Sequence, residues 1–363
     1  MRLIIAGGGT GGHLYPGIAL AEEFRARGGE VLFVGTERGI EVRAVPKAGF
    51  PLELINVTGL KRMGVVKTLL SLGRLPGSFL QAQGIIRKFQ PDVVVGVGGY
   101  ASGPMVLTAR LLGLVTAVLE QNSIPGMTNK VLGRFVQRVY GQFEANRPFF
   151  PAGRFERAGN PIRASIAAKA GAQGTGILVL GGSQGAKALN DKVPGALAAA
   201  FKGTPPIPVL HQTGEKHVED TTRAYADAGV QAEVSAFIDD MGAAYAAARL
   251  CICRAGATTV AELTALGKPA VFIPFPFAAD DHQTFNAREM QDAGAAVLCA
   301  EKDLTAETLG NTVRDLLETP GKLELMADKA RALGRPRAAQ EIADALAALV
   351  TGAGATAPTG VQP

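Results

Sequence analysis

The sequence predicts an α/β chain folded as two doubly wound domains, each a parallel sheet with helices on both faces. Three observations predict it. Short β-branched runs alternate with longer amphipathic ones, and the rhythm starts afresh after Gly174. A glycine-rich turn follows the opening strand of each half, at Gly7–Gly12 and again at Gly181–Gly185. The 363 residues are too many for one ordinary core and suit two domains of roughly 150 residues each.

In the first half the strands are read as LIIAG, EVLFVG, LELINV, DVVVGVG and TAVLE, with helical periodicity over 14–27, 64–89 and 103–112. In the second half they are GILVLGG, IPVLHQTG, QAEVSAF, ARLCICRAG, PAVFIPF and AAVLCA, each separated by a helical segment. Gly159 and Pro161 in AGNPIRASI mark the joint. The expected domains are therefore 1–160 and 161–350, the latter ending in Ala/Leu-periodic helices from about residue 320. The stretch 351–363, poor in groups that could pack, is expected to be a disordered tail.

Composition narrows the function classes. With 47% hydrophobic residues, 19% charged and 46 glycines, the chain reads as globular. The cysteines, Cys251, Cys253 and Cys299, are odd in number and lie in apolar runs, so they read as buried hydrophobes of a reducing compartment. The opening MRLIIAGGG meets its glycine turn too soon for a signal peptide, which predicts a cytoplasmic protein. Every apolar stretch is broken by Gly, Pro or charge before the roughly 20 residues a bilayer span needs. Charge is uneven: residues 1–160 hold 19 Lys and Arg against 10 Asp and Glu, and the remainder holds 18 against 22. The basic half suits an anionic surface, and equally an ordinary soluble basic domain.

The turn Gly7-Gly8-Gly9-Thr10-Gly11-Gly12-His13 fits G-x-G-x-x-G, a pattern in which glycines let backbone approach an anion at a helix N-terminus. As a dinucleotide fingerprint it is incomplete. The second strand ends Phe33-Val34-Gly35-Thr36 without an acid for a ribose, and Glu37 comes late. A tight packing turn is the plain alternative. The second turn, Gly181-Gly182-Ser183-Gln184-Gly185, sits at the equivalent place, and neither turn continues as Gly-Lys-Ser/Thr. Two such turns, each at the C-terminal edge of its sheet, predict a ligand held across a cleft. A third helix start, Arg254 to Glu262, could hold a diphosphate on its first N–H groups. Glu262, one turn in, would either accept bonds from vicinal ribose hydroxyls or merely complement the helix dipole. No Asp-x-Asp occurs, Asp239-Asp240 and Asp280-Asp281 are adjacent, and His13, His211, His217 and His282 lack ligand spacing, so no metal site and no cofactor are expected.

Eight segments then form an ordered series: GGTGGHLYPG, VGVGGYASGP from Val95, EQNSIPGMTNK from Glu120, GNPIR at 159–163, GGSQGA at 181, FIDDM at 237, CRAGATTVAEL at 253 and DHQTFNA from Asp281. Together they resemble the MurG family, the peptidoglycan N-acetylglucosaminyltransferases of glycosyltransferase family 28, from residue 1 to about 345. The resemblance implies a GT-B fold and an inverting, metal-independent reaction in peptidoglycan synthesis, with its links to cell-wall biogenesis, cell shape and division. UDP-N-acetylglucosamine would donate its sugar to the 4-hydroxyl of undecaprenyl-diphospho-N-acetylmuramoyl-pentapeptide, turning lipid I into lipid II. By the family's motifs the substrate site would include Thr10, Gly11, Gly12, Asn122, Arg163, Ser183, Ile238, Ala257, Thr258, Thr259, Val260, Ala261, Glu262 and Gln283. Ile238 and Arg163 would lie near the uracil, Glu262 at the ribose, Ser183 and the 257–259 turn at the diphosphate, and Gln283 at the sugar hydroxyls. This chain has His282 where many relatives carry Gln, a change an imidazole can absorb.

Inversion needs one displacement with a base at the acceptor hydroxyl. His13 suits it because imidazoles in general exchange protons near neutral pH and by its place at the end of the first glycine turn; orienting the acceptor or capping the helix is the other reading. A lipid-linked acceptor places the enzyme peripherally on the cytoplasmic face of the inner membrane. Between Leu54 and Pro91 there is no acidic residue, while cations from Lys61 to Lys88 accompany Met63, Leu69, Leu70, Leu72 and Phe79. That basic, apolar stretch suits an anionic membrane surface, or else a helix packed on its sheet. No nucleic-acid partner is expected. A UDP-sugar epimerase of the same fold and an NAD-dependent oxidoreductase are the competing readings.

Overall fold

In the computed structural model the described residues are all but 38, 58–64, 183, 204, 206 and 353–363, and the side chains of 65–75 are likewise outside the description. The chain forms two compact units, Met1–Arg163 with the stretch from Arg337, and Ala164–Pro336.

The first unit runs β1 (Arg2–Gly7), α1 (Gly11–Ala26), β2 (Glu30–Gly35), α2 (Glu41–Lys47), β3 (Leu52–Leu54), α3 (Val65–Phe89), β4 (Val93–Gly98), α4 (Ser102–Leu111), β5 (Val115–Glu120), α5 (Met127–Leu132), β6 (Arg138–Gly141) and β7 (Phe155–Glu156). Its seven strands lie in the order β3-β2-β1-β4-β5-β6-β7, all parallel. Successive residues of each strand feed opposite faces. Leu3, Ile5, Phe33, Val95 and Leu119 enter one buried cluster, and Ile4, Ala6, Val34, Val94 and Val118 enter the other. A sheet covered on both sides therefore needs unbroken apolar strands, which is why these read as continuous β-branched runs.

The second unit runs α6 (Ala164–Ala167), β8 (Gly176–Leu180), α7 (Lys187–Ala200), β9 (Val209–Gln212), α8 (Val218–Asp227), β10 (Ala232–Ser235), α9 (Met241–Ala247), β11 (Ala248–Cys253), α10 (Ala257–Leu266), β12 (Ala270–Phe272), α11 (His282–Asp292), β13 (Ala296–Leu298), α12 (Ala306–Glu318) and α13 (Lys322–Leu333). Its order is β10-β9-β8-β11-β12-β13, again all parallel.

Both sheets reverse their strand order at one place, between β1 and β4 in the first and between β8 and β11 in the second. Ligands of open α/β sheets bind beyond the strand ends at such reversals. Gly7–Gly12 leaves β1, Gly181–Gly185 leaves β8, and the Arg254–Gly256 turn leaves β11, so three of the turns singled out in the sequence stand at a reversal.

Two details depart from the sequence reading. Strands β6 and β7 extend the first sheet, although RVYG and FE are too short to register as apolar runs. The helix α14 (Ala338–Thr351), expected with the second domain, packs on the first unit: Ile342, Ala343 and Leu346 are fully buried beside Leu3, Leu14 and Leu20, and Asp344 pairs with Arg27. Cys251 and Cys253 are buried free thiols on β11, while Cys299 is only partly covered. Burial pushes the Cys251 thiol up to about 12 and that of Cys253 well above its ordinary range, so both stay protonated and inert. Among the described residues no helix is long and apolar enough to cross a membrane.

Candidate active site

The first glycine turn is a close-packed crossing of two strand ends. Gly7, Gly8 and Gly9 all have positive φ, and a Cβ on Gly7 would run into the Gly98 carbonyl at the end of β4. Only glycine fits there. The Gly8 amide donates to Gly98 O at 3.2 Å. Beneath the turn lies a residue the sequence reading passed over. Glu41, at the start of α2 and 1% exposed, accepts from Gly9 N at 2.8 Å and from the Thr36 amide and hydroxyl at 3.0 Å each. An acid near the end of β2 is thus present, but its two oxygens hold backbone rather than pointing out at a ribose.

Thr10, in extended conformation, is the N-cap of α1, and its carbonyl accepts from the His13 and Leu14 amides. His13 follows one turn in and is half-buried, with its ring lying on Gly98. Its Nδ1 is 2.8 Å from Oε1 of Gln121, just past the end of β5. The loop after β5 is fastened from inside. The buried Glu120 carboxylate accepts from the amides of Asn122 and Gly126 and from the Asn129 side chain, and Asn146 donates to the carbonyls of Asn122 and Ser123. Burial pushes the Glu120 carboxyl up, against the pull of those donors and of nearby His13. The first unit therefore brings Thr10, Gly11, Gly12, His13 and the loop carrying Asn122 to one strand-order reversal. Arg163, the last residue of the unit's first stretch, lies over the Tyr15 ring of α1 at 5.9 Å.

In the second unit the turn after β8 is equally crowded. Gly185 has φ +75°, and a Cβ there would strike the Thr213 carbonyl after β9. Ser183 itself lies outside the described residues. Across the reversal, β11 passes through Arg254 into α10, whose first turn is Ala257, Thr258 and Thr259 behind the extended N-cap Gly256. Arg254 fixes this turn by donating to the carbonyls of Ile273 and Pro274 at 3.0 Å each and pairing with Glu301 at 2.5 Å.

Val260 and Ala261 are buried in α10, and Glu262 is 7% exposed beside them. It accepts at 2.8 Å from the hydroxyl of Tyr245 on α9. Burial beside that carboxylate pushes the Tyr245 phenol well above its ordinary value, so it remains a donor. Ile238 is buried ahead of α9, and Asp240 of the same motif caps that helix by accepting from Ala243 N at 2.9 Å. The Asp239-Asp240 pair thus has a structural use for its second member.

Between β12 and α11 the chain passes through Asp280 and Asp281, both with positive φ. The side chain of Gln283 is oriented by this loop: its Oε1 accepts from Phe275 N at 3.0 Å, which leaves the amide nitrogen as the donor end. His282 donates from Nδ1 to the Ala279 carbonyl at 2.7 Å. A buried Asn286 ties α11 to the turn before α10 by donating to Ala255 O. His211, by contrast, sits in the sheet core against Tyr225 at 2.9 Å, and burial pushes it down to about 3, so it stays neutral and structural.

The comparisons agree with this arrangement in both halves. Residues 3–141 match the model described as "Glycosyltransferase family 28 N-terminal domain", and residues 176–342 match "Glycosyltransferase family 28 C-terminal domain". A protein of Myxococcus xanthus is 52% identical over 351 residues, covering 95% of this chain and 92% of its own. One of Syntrophus aciditrophicus is 50% identical over 360 residues, covering 96% and 99%. Both carry the name "UDP-N-acetylglucosamine--N-acetylmuramyl-(pentapeptide) pyrophosphoryl-undecaprenol N-acetylglucosamine transferase". Among solved structures, that of Acinetobacter baumannii MurG superposes with a TM-score of 0.77 at 35% identity, covering 95% of this chain and 99% of that one. Two family halves in order, and relatives matched nearly end to end, leave one conclusion: the chain is a glycosyltransferase of the GT-B fold and belongs to glycosyltransferase family 28.

Proposed function

We propose that this chain transfers N-acetylglucosamine from UDP-N-acetylglucosamine to the 4-hydroxyl of undecaprenyl-diphospho-N-acetylmuramoyl-pentapeptide, the step from lipid I to lipid II. The observation that carries this reading is identity of about half, over nearly the whole of both chains, with relatives named for that transfer. In a single inverting displacement the acceptor oxygen attacks the anomeric carbon as its proton passes to a base, and UDP departs from the opposite face. His13 is that base. The leaving diphosphate is met by Ser183 and the first turn of α10, where helix dipole and amide donors concentrate positive potential. Glu262 holds the ribose, with Tyr245 fixing its carboxylate; Ile238 and Arg163 lie toward the uracil. Gln283 donates to a sugar hydroxyl from the amide end that its bond to Phe275 turns outward. Thr10, Gly11, Gly12 and Asn122 complete the substrate contacts.

The rival readings lose ground on particular residues. An oxidoreductase binding NAD through the first glycine turn would want an acid available at the end of β2, and Glu41 is spent on Gly9 and Thr36. An epimerase of the same fold has no support from the relatives' names. The deciding measurement is transfer of radiolabel from UDP-N-acetylglucosamine to a short-chain lipid-linked muramoyl acceptor. A labelled disaccharide lipid is the expected product; label released as free sugar, or left on UDP, would overturn the proposal.

Such an acceptor brings the enzyme to the cytoplasmic face of the inner membrane as a peripheral protein. Of the basic stretch from Lys61 to Lys88, residues 61–64 lie outside the described residues and so do the side chains of 65–75. In the described part of α3, Ala82 and Ile86 face the core while Leu80, Arg87 and Lys88 are exposed, though Lys88 is paired with Glu53 at 2.9 Å. Helix α4 packs on α3 and adds exposed Leu111, Leu112 and Arg110, with Phe135 and Arg134 nearby in sequence to α5. Unpaired cations near an anionic surface contribute about 1 kcal/mol each. Co-sedimentation with anionic vesicles is expected to exceed that with zwitterionic ones roughly tenfold or more and to fall at high salt. Equal partitioning would remove the electrostatic part.

A further inference from the structure

A neutral imidazole has one nitrogen that donates and one that accepts, and the partner of the first decides which is which. For His13 that partner is Gln121, whose own orientation is settled by what surrounds it. Gln121 is fully buried. Its Nε2 lies 3.2 Å from the carbonyl of Val97 on β4 and 3.2 Å from that of Leu119 on β5. Turning the amide over would set its oxygen against two carbonyl oxygens, so Oε1 must be the atom that faces His13 at 2.8 Å. An amide oxygen accepts only. Nδ1 of His13 therefore carries the proton, and in the neutral ring the lone pair is on Nε2, which has no hydrogen-bond partner among the described residues. Gly98, with φ +96°, supports the ring from beneath: a Cβ at that position would sit 3.0 Å from Nδ1 and 3.2 Å from Cε1 and crowd it.

We infer that Gln121 is the positioning residue of the reaction, holding His13 as the Nδ1–H tautomer so that Nε2 is the atom that takes the acceptor's proton. The inference rests on the reading of His13 as the base. In the step, the acceptor O–H bond breaks and its proton passes to Nε2. The oxygen forms its bond to the anomeric carbon, and the bond from that carbon to the diphosphate breaks with its electron pair leaving on UDP. The imidazolium so formed keeps its Nδ1–H bond to Gln121 throughout. A neutral amide in this place sets direction and tautomer without lending the full negative charge a carboxylate would. The nearby carboxylate, Glu120 on β5, is turned to Asn122, Gly126 and Asn129 and reaches His13 only through space.

The test is two-bond proton–nitrogen correlation NMR on protein labelled with 15N-histidine, with the His13 signals assigned by their loss in His13→Gln. With the ring neutral, the wild-type protein is expected to show a protonated Nδ1 and a bare Nε2; the opposite pattern overturns the inference whatever His13 does in turnover. Gln121→Met, which has no comparable acceptor, is expected to mix the tautomers and lower kcat roughly tenfold to a hundredfold, with KM for UDP-N-acetylglucosamine changed less than about twofold. A folded Gln121→Met enzyme with unchanged kcat also overturns it. Should that variant not fold, the wild-type tautomer decides alone. Full turnover in His13→Ala would instead defeat the base assignment, which separates the two failures.

Discussion

Alanine in place of His13 is expected to lower kcat by roughly 10²–10⁴-fold, the usual worth of a general base, while KM for UDP-N-acetylglucosamine stays within a few-fold. The reason for the split is positional. His13 belongs to the first turn of α1, whereas the groups proposed for the nucleotide lie chiefly around α10 in the other unit. Removing an imidazole that is half-buried and bonded to one amide oxygen leaves Gln121 able to take a water, so the fold is expected to survive. Steady-state kinetics at saturating acceptor, with donor binding measured separately by calorimetry, checks both halves of the statement. A loss confined to donor affinity would move His13 from proton transfer to binding.

The complementary effect belongs to Glu262. Glu262→Ala is expected to raise KM for the donor about a hundredfold or more, because hydrogen bonds to an ionised group contribute about 1.5–3 kcal/mol each and a carboxylate can receive both ribose hydroxyls. It also strands the buried Tyr245 hydroxyl, so some loss of stability accompanies it. Tyr245→Phe separates the two contributions: it keeps the carboxylate and removes only its anchor, and about a tenfold rise in KM is expected with kcat little changed. Competition by UDP and by deoxyuridine diphosphate offers a sharper reading. Wild type should prefer the ribonucleotide strongly, and Glu262→Ala should lose most of that preference. An unaltered preference would mean that Glu262 serves the helix alone.

What could be read from the sequence was what repeats locally. Strands such as LIIAG and DVVVGVG announce themselves because both faces of a parallel sheet are covered, and the glycine turns do so because their conformations admit little else. Asn122 was found through the motif that carries it, but Gln121 and Glu120 beside it were not singled out, since nothing in EQN tells which of three polar side chains turns inward. Glu41 was missed for a different reason. It meets Gly9 from 32 positions away, and only the fold of β2 and α2 brings its carboxylate under the turn. Tyr245 sits 17 positions before Glu262 in an alanine-rich helix and carries no motif of its own. Helix α14 shows the limit most plainly: the spacing of Ile342, Ala343 and Leu346 declares an apolar face, but not which sheet it will cover. Periodicity identifies the side that packs and says nothing of the partner.

The return of α14 to the first unit has a consequence for how the molecule is made. As the chain leaves the ribosome, the body that is begun first cannot be finished first. Leu3, Leu14 and Leu20 emerge at the outset, yet the residues that roof them, Ile342 and Leu346, arrive more than three hundred positions later. The intervening unit is free to complete itself meanwhile, so a nascent protein carries an uncovered greasy seam until those residues arrive, the kind of surface that chaperones recognise. Synthesis of α14, rather than translation of the early segment, closes the opening domain.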